Sequence, residues 1–387
     1  MIALKDHRVW DILESNGLLT DEQFQKARAD CNQFPDATTI AEQLVSDGWL
    51  TPWQARQLLL GGRQLRLGPY VLVDVVGRGG TSTVFKARDT RSGQTVALKV
   101  LSPGYRNKPG AVAMFLREGR IAATLKHPHL ISTFGIETVD GTYALVSEHA
   151  EGWSLRTWIT AFRQLPIGWS CDWAWQAARG LQFLIEAGVV HRDIKPGNLL
   201  VALGEFHAPT IKILDLGISR LMSETEDGGR LNRESSIGTP DYVAPEQVDS
   251  RGEVDIRADI YSLGCTLFEL LTGRVPFGGR TVVEKIMARM VNDPPSVQQY
   301  RPEVCDELAG IVARMLARNP CQRFQTPAEV AAALARFCEP LTASQVDGLL
   351  PPTTKPIEEQ ITSIVLFEDS RAFVWTKPTE IHSFAER

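Results

Sequence analysis

Three glycines in the stretch VVGRGGTSTVFKAR, namely Gly77, Gly79 and Gly80, are spaced so that a backbone can come close to a phosphate. Position 82, where a G-x-G-x-x-G pattern has its third glycine, holds Ser82. Several loops share such glycines, and the element on their C-terminal side tells the loops apart. A dinucleotide fingerprint needs a strand, the glycines and then a helix whose N-terminus faces the pyrophosphate. Here the glycines run into TSTVFKAR, a valine- and threonine-bearing strand. A Walker A loop needs G-x-x-x-x-G-K-[ST], which the sequence does not contain. What remains is a hairpin flap between two strands, its backbone N–H groups aimed at phosphate oxygens.

The next strand carries VALK, ending at Lys99. Glycine flap, Val84 and V-A-x-K together resemble the nucleotide-binding lobe of the eukaryotic-like (Hanks-type) bacterial serine/threonine protein kinases. The resemblance implies that Lys99 holds the α- and β-phosphates of ATP and that Glu118, in FLREGRIAATLKHPHLI, orients it. It extends to HRDIKPGNLL, where Asp193 is implied as the catalytic aspartate, Lys195 as the cation approaching the transferred phosphate and Asn198 as a magnesium ligand. A lysine two residues after that aspartate is the serine/threonine form of this loop. In KILDLGIS, Asp215 takes the place of the chelating aspartate, with Leu216 where phenylalanine is usual. The cofactors implied are ATP and Mg2+, or Mn2+ in its place.

GTPDYVAPEQ resembles the end of an activation segment, with Thr239 placed to select serine or threonine. By the same likeness Glu246 pairs with Arg323 of NPCQRF, and Asp259 supports the backbone of the catalytic loop. In ALVSEHAEG, Glu148 and Ala150 offer backbone groups to adenine and Ser147 stands at the gatekeeper position, where a small side chain leaves room behind the base. The likeness assigns Val84, Ala97 and Leu200 to the nucleotide site as well. Ser82 restricts the flap and has a hydroxyl able to donate to a phosphate, so a modest change in affinity is expected. Arg192 is implied to meet a phosphorylated activation segment, in which Ser223, Thr225, Ser235 and Ser236 are candidates and Ser235 is favoured. Six motifs in order over about 270 residues make coincidence untenable.

The elements that must position these residues emerge from periodicity. YVLVDVV, TVFKAR and TVALKVL are valine-rich strands separated by turns, and helical periodicity begins at Ala111. Beyond Trp153 the pattern is mostly helical, apart from short strands near Asn198–Val201 and Ile211–Leu214. Strands first and helices after imply an α+β chain of two lobes, one sheet-rich and one helical, and the resemblance implies that together they make a two-lobed protein-kinase-like fold. Residues 1–62 read as a small all-α unit with an internal repeat that aligns Gly17 with Gly48, Leu19 with Leu50, Thr20 with Thr51 and Gln23 with Gln54. In each copy a glycine ends one helix and a threonine N-caps the next, which suits a packing or docking module without chemistry of its own. The expected boundaries are 1–62 helical repeat, 63–69 linker, 70–338 catalytic domain and 339–387 tail.

Composition agrees with a globular chain of 387 residues, 43% hydrophobic and 22% charged. A net charge of −5 without a basic block speaks against a nucleic-acid partner. The six cysteines lack a C-x-x-C pair, the N-terminus has no apolar signal core and no run of residues is long enough to span a bilayer, so a cytoplasmic location is expected. Protein substrates are expected partners, with a transient homodimer where one copy phosphorylates another. The alternative is a nucleotide-binding scaffold without catalysis, which normally lacks the lysine or one of the two aspartates; all are present here. A small-molecule kinase fits poorly with GTPDYVAPE, which builds a platform for a peptide.

Overall fold

A computed structural model describes residues 6–30, 36–62, 64–204, 207–216, 240–248, 254–342 and Gln345. They fall into two compact units, those up to Lys108 with Glu137–His149, and those of Pro109–Ile136 with Ala150 onward. Among the described residues no helix is long and apolar enough to cross a membrane.

In the first unit, four helices precede the sheet: α1 (Asp6–Asn16), α2 (Asp21–Asp30), α3 (Ala37–Ser46) and α4 (Pro52–Leu59). Local chemistry sets their limits. Gly17 (φ +56°) and Gly48 (φ +70°) take the left-handed conformation that closes α1 and α3. Thr51 and Gln54 form a capping box at α4, with Pro52 in the first turn, and Thr20 and Gln23 repeat the reciprocal bonds at α2. Val9, Leu13, Ile40, Leu44 and Leu58 fill the space between these helices.

The sheet has six strands in the order β1-β2-β3-β4-β6-β5. They are β1 (Arg66–Leu67), β2 (Tyr70–Arg78), β3 (Ser82–Asp89), β4 (Thr95–Leu101), β5 (Thr133–Val139) and β6 (Thr142–Glu148). The pairs β2–β3, β3–β4 and β4–β6 are antiparallel. Period-two alternation sends Phe85, Leu98 and Val146 into a buried core on one face. A short helix, α5 (Pro103–Arg106), comes after β4. Residues 63–69, expected as a linker, carry β1 together with Leu65 and Leu67, both 1% exposed. Leu65 joins the core of the helices, and its N–H donates to Asn16 Oδ1 at 2.7 Å.

The second unit opens with α6 (Pro109–Thr124) and continues through β7 (Gly152–Ser154), α7 (Leu155–Phe162), α8 (Ile167–Glu186), β8 (Leu199–Gly204) and β9 (His207–Ile213). Then come α9 (Pro245–Val248), α10 (Ile256–Thr272), α11 (Val282–Val291), α12 (Asp306–Met315) and α13 (Pro327–Leu334). Strands β7, β8 and β9 form a small antiparallel sheet. Helix α10 is apolar nearly all round and buried along its length, as a helix at the centre of a helical lobe must be. A Cβ at Gly264 would come within 2.8 Å of Met315 Cβ, so this glycine permits close approach of α10 and α12.

His129 is buried in this unit, with its Nδ1–H donating to Ile211 O at 3.2 Å. Burial pushes its imidazole down to about 4. An imidazole held neutral in the fold stabilises fully above the unfolded value near 6.5, and that contribution is lost as pH falls toward 4. Between pH 7 and pH 5 His129 should therefore withdraw about 2 kcal/mol of stability. Urea unfolding at both pH values should show this loss in the wild type and a clearly smaller one in His129→Gln.

Candidate active site

In the first unit the register of the sheet assembles one set of predicted residues. Gly77 lies opposite Val84, Val84 opposite Lys99 and Lys99 opposite Leu145. Two residues along, Lys86, Ala97 and Ser147 form the next row. Opposed residues share a face, and so do residues two apart on a strand. Val84, Ala97, Lys99 and Ser147 therefore lie on the face opposite the Phe85–Leu98–Val146 core. Ser147 donates to Ala97 O at 3.4 Å, and Glu148 ends β6 opposite Val96.

At the β2–β3 turn, Gly79 N donates to Ser82 O at 2.8 Å. Gly77 and Gly80 do not have positive φ, and a Cβ on either would meet nothing within 4 Å. Neither the local backbone nor the packing demands glycine there. Ser82 is only 7% exposed. Its position at the start of β3, opposite Leu101, places it on the strand and not at the tip of the flap.

In the second unit the chemistry-bearing residues are held by side chain to backbone bonds. Asp259, near the start of α10, accepts the N–H of His191 at 2.7 Å on Oδ2 and the N–H of Arg192 at 2.6 Å on Oδ1. Asp259 is fully buried; burial pushes its carboxyl above the usual aspartate range, against the pull of His191 and of the two N–H groups. Arg192 has φ +66°, a conformation costly for a non-glycine residue, and this bond holds it there. His191 Nδ1 accepts from Asp193 N at 3.2 Å, so the ring proton sits on Nε2 and donates to Leu214 O at 3.0 Å. Leu214 N in turn donates to Asn198 O at 2.9 Å. The loop from His191 to Asn198 and the residue before Asp215 are thus clasped twice, and Asp215 itself adopts φ +47°.

Two donors converge on Asp193 Oδ2: Lys195 Nζ at 2.9 Å and Asn198 Nδ2 at 3.0 Å. Asn198 Nδ2 also donates to Asp193 O at 2.8 Å. Its amide orientation is thereby fixed, with Oδ1 as the atom suited to a hard cation. Among the described residues no group of three His, Cys, Asp or Glu side chains could cage a metal. A cation held by Asn198 and Asp215 would complete its shell with phosphate oxygens and water. Such a loop can accept a hydroxyl proton, neutralise phosphate charge and hold a divalent ion. Leu200, two residues on, is half-buried in β8 opposite Lys212 and Ser154. Glu118 lies on the buried side of α6, 3% exposed, and Ala150 begins the second stretch of chain in the second unit.

Several site residues had no signal of their own in the sequence. Gln247 donates to Arg192 O at 3.2 Å and accepts from Ala244 N at 2.9 Å. Tyr242 donates to Glu269 Oε2 at 2.5 Å, while Arg156 donates to Glu269 Oε1 at 2.8 Å and also to the Tyr242 hydroxyl. Lys285 pairs with Asp241 at 2.8 Å, and Arg289 donates to Val243 O at 2.5 Å. The segment 241–247 is therefore fixed from α7, α10 and α11. Glu246 forms a two-pronged pair with Arg323, Nη1 to Oε1 at 2.6 Å and Nη2 to Oε2 at 2.8 Å. Ser223, Thr225, Ser235, Ser236 and Thr239 lie outside the described residues, as does most of the tail.

The sequence profile described as "Protein kinase domain" matches residues 70–334. Serine/threonine-protein kinase PknB of Mycolicibacterium smegmatis is 35% identical over 276 residues, 70% of this chain and 43% of that protein. Serine/threonine-protein kinase PrkC of Bacillus subtilis is 32% identical over 265 residues, 68% of this chain and 40% of that protein. The matches thus span less than half the length of these curated relatives. The crystal structure of the Mycobacterium tuberculosis PknI kinase domain superposes with a TM-score of 0.54 at 26% identity, covering 70% of this chain and 98% of that one.

Asp259 is the most exacting support of the catalytic loop. In Asp259→Asn one of the two buried N–H groups faces an NH2 donor in place of an acceptor oxygen. Urea unfolding should show a loss of about 1–3 kcal/mol, the cost of a buried unsatisfied donor.

Proposed function

This chain belongs to the protein kinase domain family, and we propose that it transfers the γ-phosphoryl group of Mg-ATP to serine or threonine hydroxyls of proteins. The observation that carries the reading is the convergence of Lys195 and Asn198 on Asp193, in a loop tied to Asp215 through Leu214. The relatives PknB and PrkC, both serine/threonine-protein kinases, support the same substrate class.

In this reading Asp193 accepts the proton of the attacking hydroxyl, and its bonds to Lys195 and Asn198 hold the carboxylate in a single orientation. Lys195 reaches from this carboxylate toward the phosphate in transfer and offsets its charge. By the family resemblance Lys99 would serve the α- and β-phosphates with Glu118 as its carboxylate, and Gly77, Gly79 and Gly80 would form the flap, with Ser82 at the start of the strand that follows. The family resemblance assigns Val84, Ala97 and Leu200 to the adenine as well, with Glu148 and Ala150 as residues that would offer it backbone groups and Ser147 as one that would leave space behind it. Asn198 Oδ1 and the Asp215 carboxylate would hold Mg2+, or Mn2+, which would supply positive charge against the phosphate in transfer.

Regulation would run through Arg192 and the segment beyond Asp215. Phosphorylation there, with Ser235 as the favoured position, adds charge that an arginine can pair. Two copies meet transiently for that step. The net charge of −5 supports protein in preference to nucleic acid as the partner, and unpatterned cysteines support a reducing, cytoplasmic location.

The test is phosphate incorporation by the purified chain from Mg-ATP into itself and into serine- or threonine-bearing peptides. Replacing Asp193 by Asn should lower kcat by about 10²–10⁴-fold, the usual worth of a general base, with the KM for ATP little changed. Wild-type protein that binds ATP and transfers nothing would instead establish the nucleotide-binding scaffold.

A further inference from the structure

The two copies of the N-terminal repeat are used differently. In the first, Thr20 and Gln23 form an exposed capping box that, among the described residues, closes only its own helix. In the second, the same pair has two additional bonds. Thr51 Oγ1 accepts from Gln54 N at 3.1 Å and also donates to Val73 O at 2.6 Å. Gln54 Oε1 accepts from Thr51 N at 2.9 Å, while its Nε2 donates to Leu72 O at 2.8 Å. The start of α4 thus captures two successive carbonyls of β2.

Those carbonyls lie where β2 needs help. Its register against β3 shifts between Leu72 and Asp74 and again between Val75 and Gly77, so Val73 and Val76 have no direct cross-strand partner on β3. On its other edge β2 pairs with β1 only through Tyr70 and Val71, and Leu72 N donates to Leu65 O. From Leu72 to Val73 that edge is held by the α4 side chains. Four residues later comes Gly77, the first glycine of the flap. Trp53, between the two polar residues, packs edge-on to Phe85 with ring centroids 6.0 Å apart. Phe85 is adjacent to Val84 and on the opposite face of β3.

We propose that Thr51 and Gln54 are positioning residues for the glycine-rich flap, clamping the bulged edge of β2 so that the N-terminal helices set the affinity for nucleotide. This rests on the proposed nucleotide-binding role of the flap. A flap whose outer edge is held as far as Val73 has fewer open arrangements than one whose outer edge is held only as far as Leu72 N. A ligand that needs the closed arrangement binds more weakly in proportion as that arrangement is less populated.

Gln54→Glu separates this role from helix capping, because glutamate keeps the capping oxygen. It replaces the donor to Leu72 O with an acceptor, so carbonyl and carboxylate oppose each other. In the full chain, calorimetric titration with ATP and Mg2+ should give affinity about five- to tenfold weaker, as expected for one hydrogen bond lost. Steady-state kinetics should raise the KM for ATP by a similar factor and leave kcat within about twofold. Thr51→Val should behave alike and Thr51→Ser should restore binding, which also keeps the question open to measurement should Gln54→Glu fail to fold. The matching changes in the first copy, Thr20→Val and Gln23→Glu, should leave ATP affinity unchanged. Wild-type affinity in both Gln54→Glu and Thr51→Val would overturn the clamp while the kinase reading stands. No nucleotide binding by the wild type would overturn both.

Discussion

The active loop depends on one buried carboxyl group. Asp259 takes the N–H of His191 and the N–H of Arg192, and these two bonds set the backbone where the loop begins. The left-handed conformation at Arg192 costs about 1–3 kcal/mol by itself, comparable to what one strong buried hydrogen bond returns. The second bond and the packing of α10 supply the excess. Everything the loop presents stems from that fixed backbone: His191 turns toward Leu214, Asp193 comes directly after Arg192, and Lys195 and Asn198 fold back on Asp193. A helix as buried as α10 is a suitable base, because it has little freedom to move with the loop.

The two units position residues by different physics. In the sheet, register does the placing, and each of Gly77, Val84, Lys99 and Ser147 inherits its face from strand pairing spread over many backbone bonds. Such an arrangement tolerates substitution at single positions, which is why Ser82 can occupy a glycine position at the start of β3 without breaking the pairing opposite Leu101. The loop from His191 to Asn198 has no such redundancy. Its backbone is anchored by a few side chains reaching across 23 or more residues of sequence, as from His191 to Leu214 and from Asp259 to His191.

This contrast explains what the sequence made legible. Strand alternation and turn glycines are local, so β2, β3 and β4 could be read directly, and with them the face that carries Lys99. Asp193, Asn198 and Asp215 were legible through short motifs. Gln247 and the Tyr242–Glu269–Arg156 network were not, because a side chain bonded to a distant group leaves no period behind; Glu269 reads simply as a polar residue in the apolar helix LFELL. The repeat in residues 1–62 was visible, yet Thr20 and Thr51 look alike in sequence. Only the carbonyls of Leu72 and Val73 distinguish them. Ser82, whose hydroxyl the sequence offers to a phosphate, is nearly buried at the start of β3.

Arg323 shows how specificity can outweigh stability in such a lobe. Its side chain is completely buried, and every guanidinium nitrogen is used: Nε to Ala317 O at 2.7 Å, Nη1 to Glu246 and Arg257 O, and Nη2 to Glu246 and Arg318 O. Burying such an ion pair has a desolvation cost that well-packed apolar side chains would avoid, so stability alone does not account for it. A lysine, with three donors and no planar fork, could not meet the two carboxylate oxygens and three carbonyls together. What the pair gains is a single permitted geometry that joins α9 to the turn after α12 and to the first turns of α10. Asp259 stands in those same turns. The segment 241–247 and the loop that begins at His191 are thus tied to one stretch of one helix, and a shift in either must strain the other.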